Sequence, residues 1–273
     1  MGDSRKGCYV SVLTGVCIAF IAVGVGLIVQ YVNYRTSECV CPETSKSSKQ
    51  SDGIGMLRPN AKVSHDYKLF YFDCRGRGEI ARMIFAYAGH PFVDKRIDYD
   101  EEWPSIKYDF PQYVLPVLEI DGSKNITQSM AIARHLSREF DIYEKTPTEQ
   151  TVIDEITETV ADIYNFALEF QVAPTSQERA QKKAEFYKVD CPKFLMFLEN
   201  LVAETGQNGF AVGDSFTVAD LMLFVYIEHT EAHSTPPDAP MLKNYSLLDR
   251  NRKLVSSISR IPEYLQKRPE QDL

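Results

Sequence analysis

The residues best able to do chemistry are gathered in one short stretch, residues 67–77, YKLFYFDCRGR. It holds a phenol at Tyr71, a thiol at Cys74 and two guanidinium groups at Arg75 and Arg77, with Gly76 between them. Ahead of Asp73 the side chains alternate with the period-2 pattern of a strand. Beyond the turn Ile80, Met83, Ile84, Tyr87 and Ala88 recur on one helical face. Strand, turn and helix make a β-α unit. The turn brings a tyrosine hydroxyl and two cations beside a helix N-terminus, where backbone N–H groups and the helix dipole favour an anion. Taken alone, Tyr71 reads more readily as one core aromatic among fifteen tyrosines. The RGRGE turn behind it is what singles it out.

A scaffold must hold that turn, and the rest of the chain supplies one. Residues 92–99 read as a second strand and Trp103 opens a short irregular or helical piece. A third strand runs over 114–120 with Pro116 near its start, followed by the hairpin signal Asp121-Gly122 and a returning strand over 124–127. A proline inside a buried strand is disfavoured unless the bond before it is special, so Leu115-Pro116 is expected to be cis. Gln128 and Ser129 are expected to cap a helix with Met130, Ile132, Ala133 and Leu136 on its apolar face. From Thr148 onward only helical periodicity remains, and Thr217 with Asp220 forms a capping-box pattern ahead of a buried helix. The order is βαβ, then ββα, then helices.

Composition narrows the possibilities. A chain of 273 residues with 44% in the hydrophobic set can bury a sizeable core in one or two domains. The net charge is −8, and the acidic excess lies after Asp66, which argues against nucleic acid as a partner. Of the six cysteines, Cys8, Cys17, Cys39 and Cys41 precede the body and only Cys74 and Cys191 belong to it. Neither a disulfide framework nor a Cys/His metal spacing is present.

Residues 8–32 carry no charge. A run of that length is expected to cross a bilayer as one helix, after a short polar tail (residues 1–7) and before a flexible tether (residues 33–66) rich in Ser, Lys, Gly and Pro. The expectation is a single-pass membrane protein with a lipid bilayer as a partner and its catalytic body cytoplasmic. The flanking charges lean only slightly to that side, and a glycan on the sequon Asn125-Ile126-Thr127 would obstruct the proposed site if the body were lumenal. Cys39 and Cys41 read equally as acylation sites or inert thiols.

YFDCRGRGEIAR, Trp103 with Lys107, LPVLEIDG, TQSMAIARHL and GDSFTVAD, in that order, resemble the glutathione transferases, and among them the sigma class. The resemblance runs from Tyr67 to Leu273. It implies a thioredoxin-like α/β domain over residues 67–142 joined to an all-α domain over 148–273. It implies reduced glutathione as co-substrate, no metal, a small hydrophobic electrophile as second substrate, and a homodimer. Residue by residue, Tyr71 matches the tyrosine that stabilises the glutathione thiolate and Arg77 the arginine that supports it. Trp103 and Lys107 match the pair that holds the glycine end. Leu115, with Pro116, would pair its backbone with the cysteinyl backbone. Gln128 and Ser129 match the pair at the γ-glutamyl carboxylate, and Asp162 an acid reaching the γ-glutamyl amine in the partner subunit. Val114 departs from the pattern, standing where the class has Gln or Lys. Cys74 reads as a bystander thiol in preference to one that forms mixed disulfides with glutathione. Two other functions stay open within the resemblance: an isomerase of the prostaglandin D synthase type, and a non-catalytic glutathione-binding or structural protein like the lens crystallins derived from this class.

Overall fold

After residue 66, strands and helices follow closely the periodicities of the sequence. The computed structural model describes residues 19–23, 26–30, 65–143, 146–234 and 241–269. They fall in two compact units, 1–59 and 60–273.

In the first unit the described residues form β1 (Ala19–Val23) and β2 (Gly26–Gln30), paired antiparallel with Ala19 opposite Gln30 and Val23 opposite Gly26. This corrects the expected membrane anchor. Among the described residues no helix is long and apolar enough to cross a membrane, and the expected span contains a two-stranded ribbon instead. With the helix goes the expected single-pass membrane location with a cytoplasmic body and the bilayer as partner. The physical reason is in the composition of the run. Its β-branched Ile and Val residues, interrupted by Gly24 and Gly26, weaken a helix and suit paired strands. The expected polar tail, and the tether apart from its last two residues, lie outside the described residues. Those last two are fixed to the body: His65 Nδ1 stands 2.6 Å from Asp121 Oδ2, and the Asp66 N–H donates to Asp121 Oδ1 over 3.0 Å.

The second unit opens with β3 (Tyr67–Phe72), whose Tyr67, Leu69 and Tyr71 are buried while the residues between are half-buried. Helix α1 (Glu79–Ala88) follows, then β4 (Val93–Ile97), the single turn α2 (Trp103–Ile106), β5 (Val117–Ile120), β6 (Lys124–Thr127) and α3 (Ser129–Glu139). The sheet order is β4-β3-β5-β6, with β3 parallel to β4 and antiparallel to β5. Parallel pairing of β3 with β4 is possible because α1 makes the crossover. The expected third strand is shorter than its sequence suggests: β5 starts only after the Leu115-Pro116 bond, which is cis as expected. At the hairpin Asp121 and Gly122 both take positive φ, 52° and 63°.

The remainder is helical: α4 (Pro147–Gln171), α5 (Ser176–Glu185), α6 (Cys191–Thr205), α7 (Val218–Ala232), α8 (Ser246–Val255) and α9 (Ile261–Lys267). Helix α7 is the central one, buried nearly all round. One apolar core runs through α1, α3, α4 and α7, so the sheet half and the helical half share it. The chain thus has a thioredoxin-like N-terminal domain and a helical C-terminal domain.

Candidate active site

Tyr71 sits at the end of β3, 5% exposed. Two glycines explain how the turn wraps it. A Cβ on Gly76, whose φ is +38°, would come within 2.5 Å of the Tyr71 hydroxyl oxygen, and one on Gly78 within 2.5 Å of its ring. Only residues without a side chain let the backbone lie this close to the phenol. The Arg77 backbone N–H donates to the Tyr71 oxygen over 2.9 Å. That bond occupies an acceptor site on the phenol, and the hydroxyl also has a side-chain hydrogen bond to Tyr164, so a ligand acceptor competes with Tyr164 for its proton. Burial, with Tyr164 and Cys74 alongside, pushes the Tyr71 pKa well above the usual phenol value, against the opposing pull of Arg77. Tyr71 is therefore a neutral hydrogen-bond donor at physiological pH.

Arg77 supports Tyr71 differently from the expectation. Its backbone makes the direct contact, while its guanidinium turns to α4, donating to Asn165 Oδ1 over 2.5 Å and stacking 4.8 Å from the Tyr164 ring centre. Its charge still favours an anion at the hydroxyl. Asn165 is a site residue the sequence did not disclose. It contacts Arg77 across 88 positions of chain, and no local pattern marks an asparagine on an exposed helix face.

A second residue of this kind is Arg82, 1% exposed on α1. It donates to the backbone oxygens of Cys74 (2.7 Å) and Phe72 (3.3 Å) and pairs with Asp94 at 3.1 Å. Its guanidinium carbon lies 5.7 Å from the Tyr71 ring centre. Arginine is almost never fully buried unless it is paired, so from sequence it reads as solvated. Here its fork holds two carbonyls at the end of β3 and in the turn after it. The Cys74 thiol in that turn is pushed upward, chiefly by burial, with Arg82 opposing. A raised thiol is a poor nucleophile at neutral pH.

Leu115 and Tyr71 belong to one apolar cluster, with Phe72, Cys74 and Trp103 packed against it. Trp103 meets Phe72 edge-on at 5.4 Å. Lys107 follows on the next turn, its ammonium 5.0 Å from the Tyr108 ring. Gln128 takes φ +70° and donates from its side-chain amide to Gln112 Oε1 over 3.0 Å. It sits at the N-cap of α3, yet no side chain there hydrogen-bonds the helix start. This corrects the expectation that Gln128 and Ser129 cap that helix. Ser129, 4% exposed, is its first residue. The turn after β3, the start of β5 and the start of α3 thus surround the end of the central strand. Asp162 lies on the exposed face of α4, one helical turn before Asn165. Val114 is 42% exposed at the entrance to β5. Among the described residues no group of His, Cys, Asp or Glu could hold a metal.

Comparison with known proteins covers the same two halves. The model of the glutathione S-transferase N-terminal domain matches residues 67–138, and that of a glutathione S-transferase C-terminal domain matches residues 161–268. "Probable glutathione S-transferase 6" of Caenorhabditis elegans is 35% identical over 207 residues, covering 75% of this chain and 97% of that protein. S-crystallin SL11 of Nototodarus sloanii is 34% identical, covering 74% of this chain and 96% of the crystallin. The structure of rat hPGDS complexed with a quinoline superposes with a TM-score of 0.69 at 30% identity, over 76% of this chain and all of the rat protein.

Proposed function

Because this chain belongs to the glutathione S-transferase family, we propose that the residues around Tyr71 form its glutathione site, of the sigma type. The protein is a transferase that conjugates reduced glutathione to small hydrophobic electrophiles. A free thiol has a pKa of about 8.5 and each unit of depression is worth about 1.4 kcal/mol, so the site must favour the ionised sulfur. Tyr71 donates its phenolic proton as a hydrogen bond to that sulfur without giving it up. The observation that carries this reading is the buried Tyr71 oxygen accepting from the Arg77 N–H. The thiol proton leaves to solvent, the thiolate attacks the electrophilic carbon, a carbon–sulfur bond forms, and the displaced electron pair goes to the leaving group or to the adjoining electron sink.

The other contacts divide the tripeptide between them. The γ-glutamyl carboxylate sits at the start of α3 near Gln128 and Ser129, where helix N–H groups favour an anion. Positive φ at Gln128 is backbone strain of the kind found at ligand sites. Leu115, before Pro116, presents its backbone to the cysteinyl unit, and Trp103 with Lys107 takes the glycine end. Asp162, exposed on α4, reaches the γ-glutamyl amine across a homodimer. The glutathione-binding domain is residues 67–142 and the helical domain 148–273.

The test is conjugation of chlorodinitrobenzene by the wild-type chain and by Tyr71→Phe. Removing one donor at a developing or resident anion costs about a hundredfold or more in kcat, with glutathione binding retained. Equal activity in the variant would sink the role given to Tyr71. Two further readings have observations in their favour. Likeness to rat hPGDS supports an isomerase acting on a prostaglandin endoperoxide, and turnover of prostaglandin H2 would establish it. Likeness to an S-crystallin, with Val114 in place of a polar residue, supports a non-catalytic protein. The intact Tyr71 and Arg77 arrangement argues against that, and the same conjugation assay decides.

A further inference from the structure

The turn that carries the site is tied to the far end of the chain by a row of buried charges. Arg268, just beyond α9 and only 11% exposed at its side chain, donates from one guanidinium nitrogen to Glu79 Oε1 over 3.2 Å. Its other terminal nitrogen pairs with Glu228 of α7 at 3.0 Å. Tyr264 of α9 donates its hydroxyl to the same Glu79 oxygen over 3.0 Å. The second Glu79 oxygen stands 3.6 Å from Arg82 Nη1. That Arg82 nitrogen donates to the Cys74 carbonyl, and its neighbour donates to the Phe72 carbonyl, on either side of Asp73. Glu79, at 3% exposure, and Arg82, at 1%, are among the few charged residues fully inside the described part.

Buried charges are costly to desolvate, so a buried ion pair is weak evidence for stability. Each member here fixes the next. Glu79 accepts from Tyr264 and Arg268 at the end of α9 and pairs with Arg82 one turn along its own helix, and arginine's planar fork transmits direction as well as charge. The far end of the row is the backbone immediately after Tyr71, the segment that must put the Arg77 N–H on the phenol oxygen.

We propose that Arg268 is a positioning residue for the transferase reaction. Through Glu79 and Arg82 it holds the 73–78 turn in the register that keeps Tyr71 aimed at the sulfur. The proposal rests on the functional reading above. It goes beyond that reading in making the C-terminal end of the helical domain part of what sets the thiolate. Arg268 itself touches no substrate.

The experiment compares Arg268→Gln, Arg268→Lys and, as a control at an exposed ion pair, Lys267→Gln, all in the full chain. Two readouts are taken. The first, without glutathione, is amide hydrogen exchange of residues 73–79. The second, with glutathione, is the pH profile of kcat together with ultraviolet titration of the bound thiol. Arg268→Gln is expected to speed exchange in the turn, to raise the apparent thiol pKa by about half a unit or more, and to lower kcat at neutral pH roughly threefold to tenfold with the glutathione KM little changed. Arg268→Lys should recover most of this, and Lys267→Gln should match wild type. Unchanged exchange in the turn overturns the proposal. So does faster exchange with an unaltered pH profile, since Arg268 would then be merely structural. A wild-type chain that neither binds nor turns over glutathione defeats the transferase reading itself and the catalytic part of this proposal. The exchange data then still decide whether the clamp exists.

Discussion

Helix α7 and helix α3 begin in opposite ways. At α7 the Asp220 carboxylate, fully buried, accepts from the Thr217 and Ala211 backbone N–H groups at 2.7 Å each, from the Thr217 hydroxyl, and from the Asn251 amide at 2.6 Å. Helices α4 and α5 are closed by capping boxes of Thr146 with Glu149 and Thr175 with Glu178. Even α8, which lacks a cap of its own, receives one from α6: Glu199 accepts the N–H groups of Leu247 and Leu248 at 2.9 and 3.0 Å. At α1 and α3, the two long helices that start beside the candidate site, no side chain caps the helix. A side-chain cap consumes the same N–H donors that would hold a ligand's carboxylate. Helices α6 and α9 of the helical half also start without a side-chain cap, but at α1 and α3 the uncapped start lies beside the candidate site, and on the reading proposed above the donors of α3 serve binding. Glu199 at α8 shows within the same molecule how a carboxylate from elsewhere seats on such a start.

Substitutions at the two kinds of helix start should separate stability from binding. The largest effect is expected at Asp220→Ala. It strands several buried donors at once and should cost about 3–5 kcal/mol of folding stability, read by denaturant melts, with conjugation per folded molecule unchanged. Next comes acid. His229 is 6% exposed, packed 4.8 Å from the Tyr164 ring and 4.5 Å from His233. Burial first, then His233 and Arg75, depress its pKa from 6.5 to about 3. The unfolded chain takes up this proton first, so the stability held above pH 6.5 is lost as pH falls toward 3. The loss reaches about 2 kcal/mol at pH 5. His229→Gln should flatten that limb of the stability–pH curve, and an unaltered limb would refute the assignment. Ser129→Ala should weaken glutathione binding about fivefold to tenfold and leave the melt within about 0.5 kcal/mol. Thr175→Ala, at the exposed cap of α5, should do the reverse, costing about 1 kcal/mol of stability with glutathione affinity untouched. If these last two variants behaved alike, the contrast between the helix starts would fail.

Most of this architecture can be read along the chain because its signals are local. The β3-α1 unit follows from period-2 and period-3.6 patterns within two dozen residues. The box at Thr217 and Asp220 needs only four. The cis bond at Leu115-Pro116 follows from a proline standing where a buried strand should begin. What escapes such reading depends on contacts between distant segments. Asn165 meets Arg77, and Arg82 is buried by Asp94 and by carbonyls of the preceding turn. Gln128 points its amide sideways to Gln112 instead of back over α3. The N-terminal apolar run misleads for a different reason. Length and hydropathy are the same for one long helix and for two paired strands, and the glycines and β-branched residues that tip the balance carry little weight against twenty-odd uncharged positions.

The glycines under the phenol leave the chain a narrow margin for drift. At Gly76 and Gly78 even alanine would carry a methyl group into space the Tyr71 oxygen and ring already occupy. Neither backbone nor aromatic ring can yield there without disturbing the other. A lineage that abandoned conjugation could accept such a change at once, whereas one that still depends on it could not. These two positions therefore work as a tell-tale: across related chains, bulk appearing at either should coincide with retirement from chemistry.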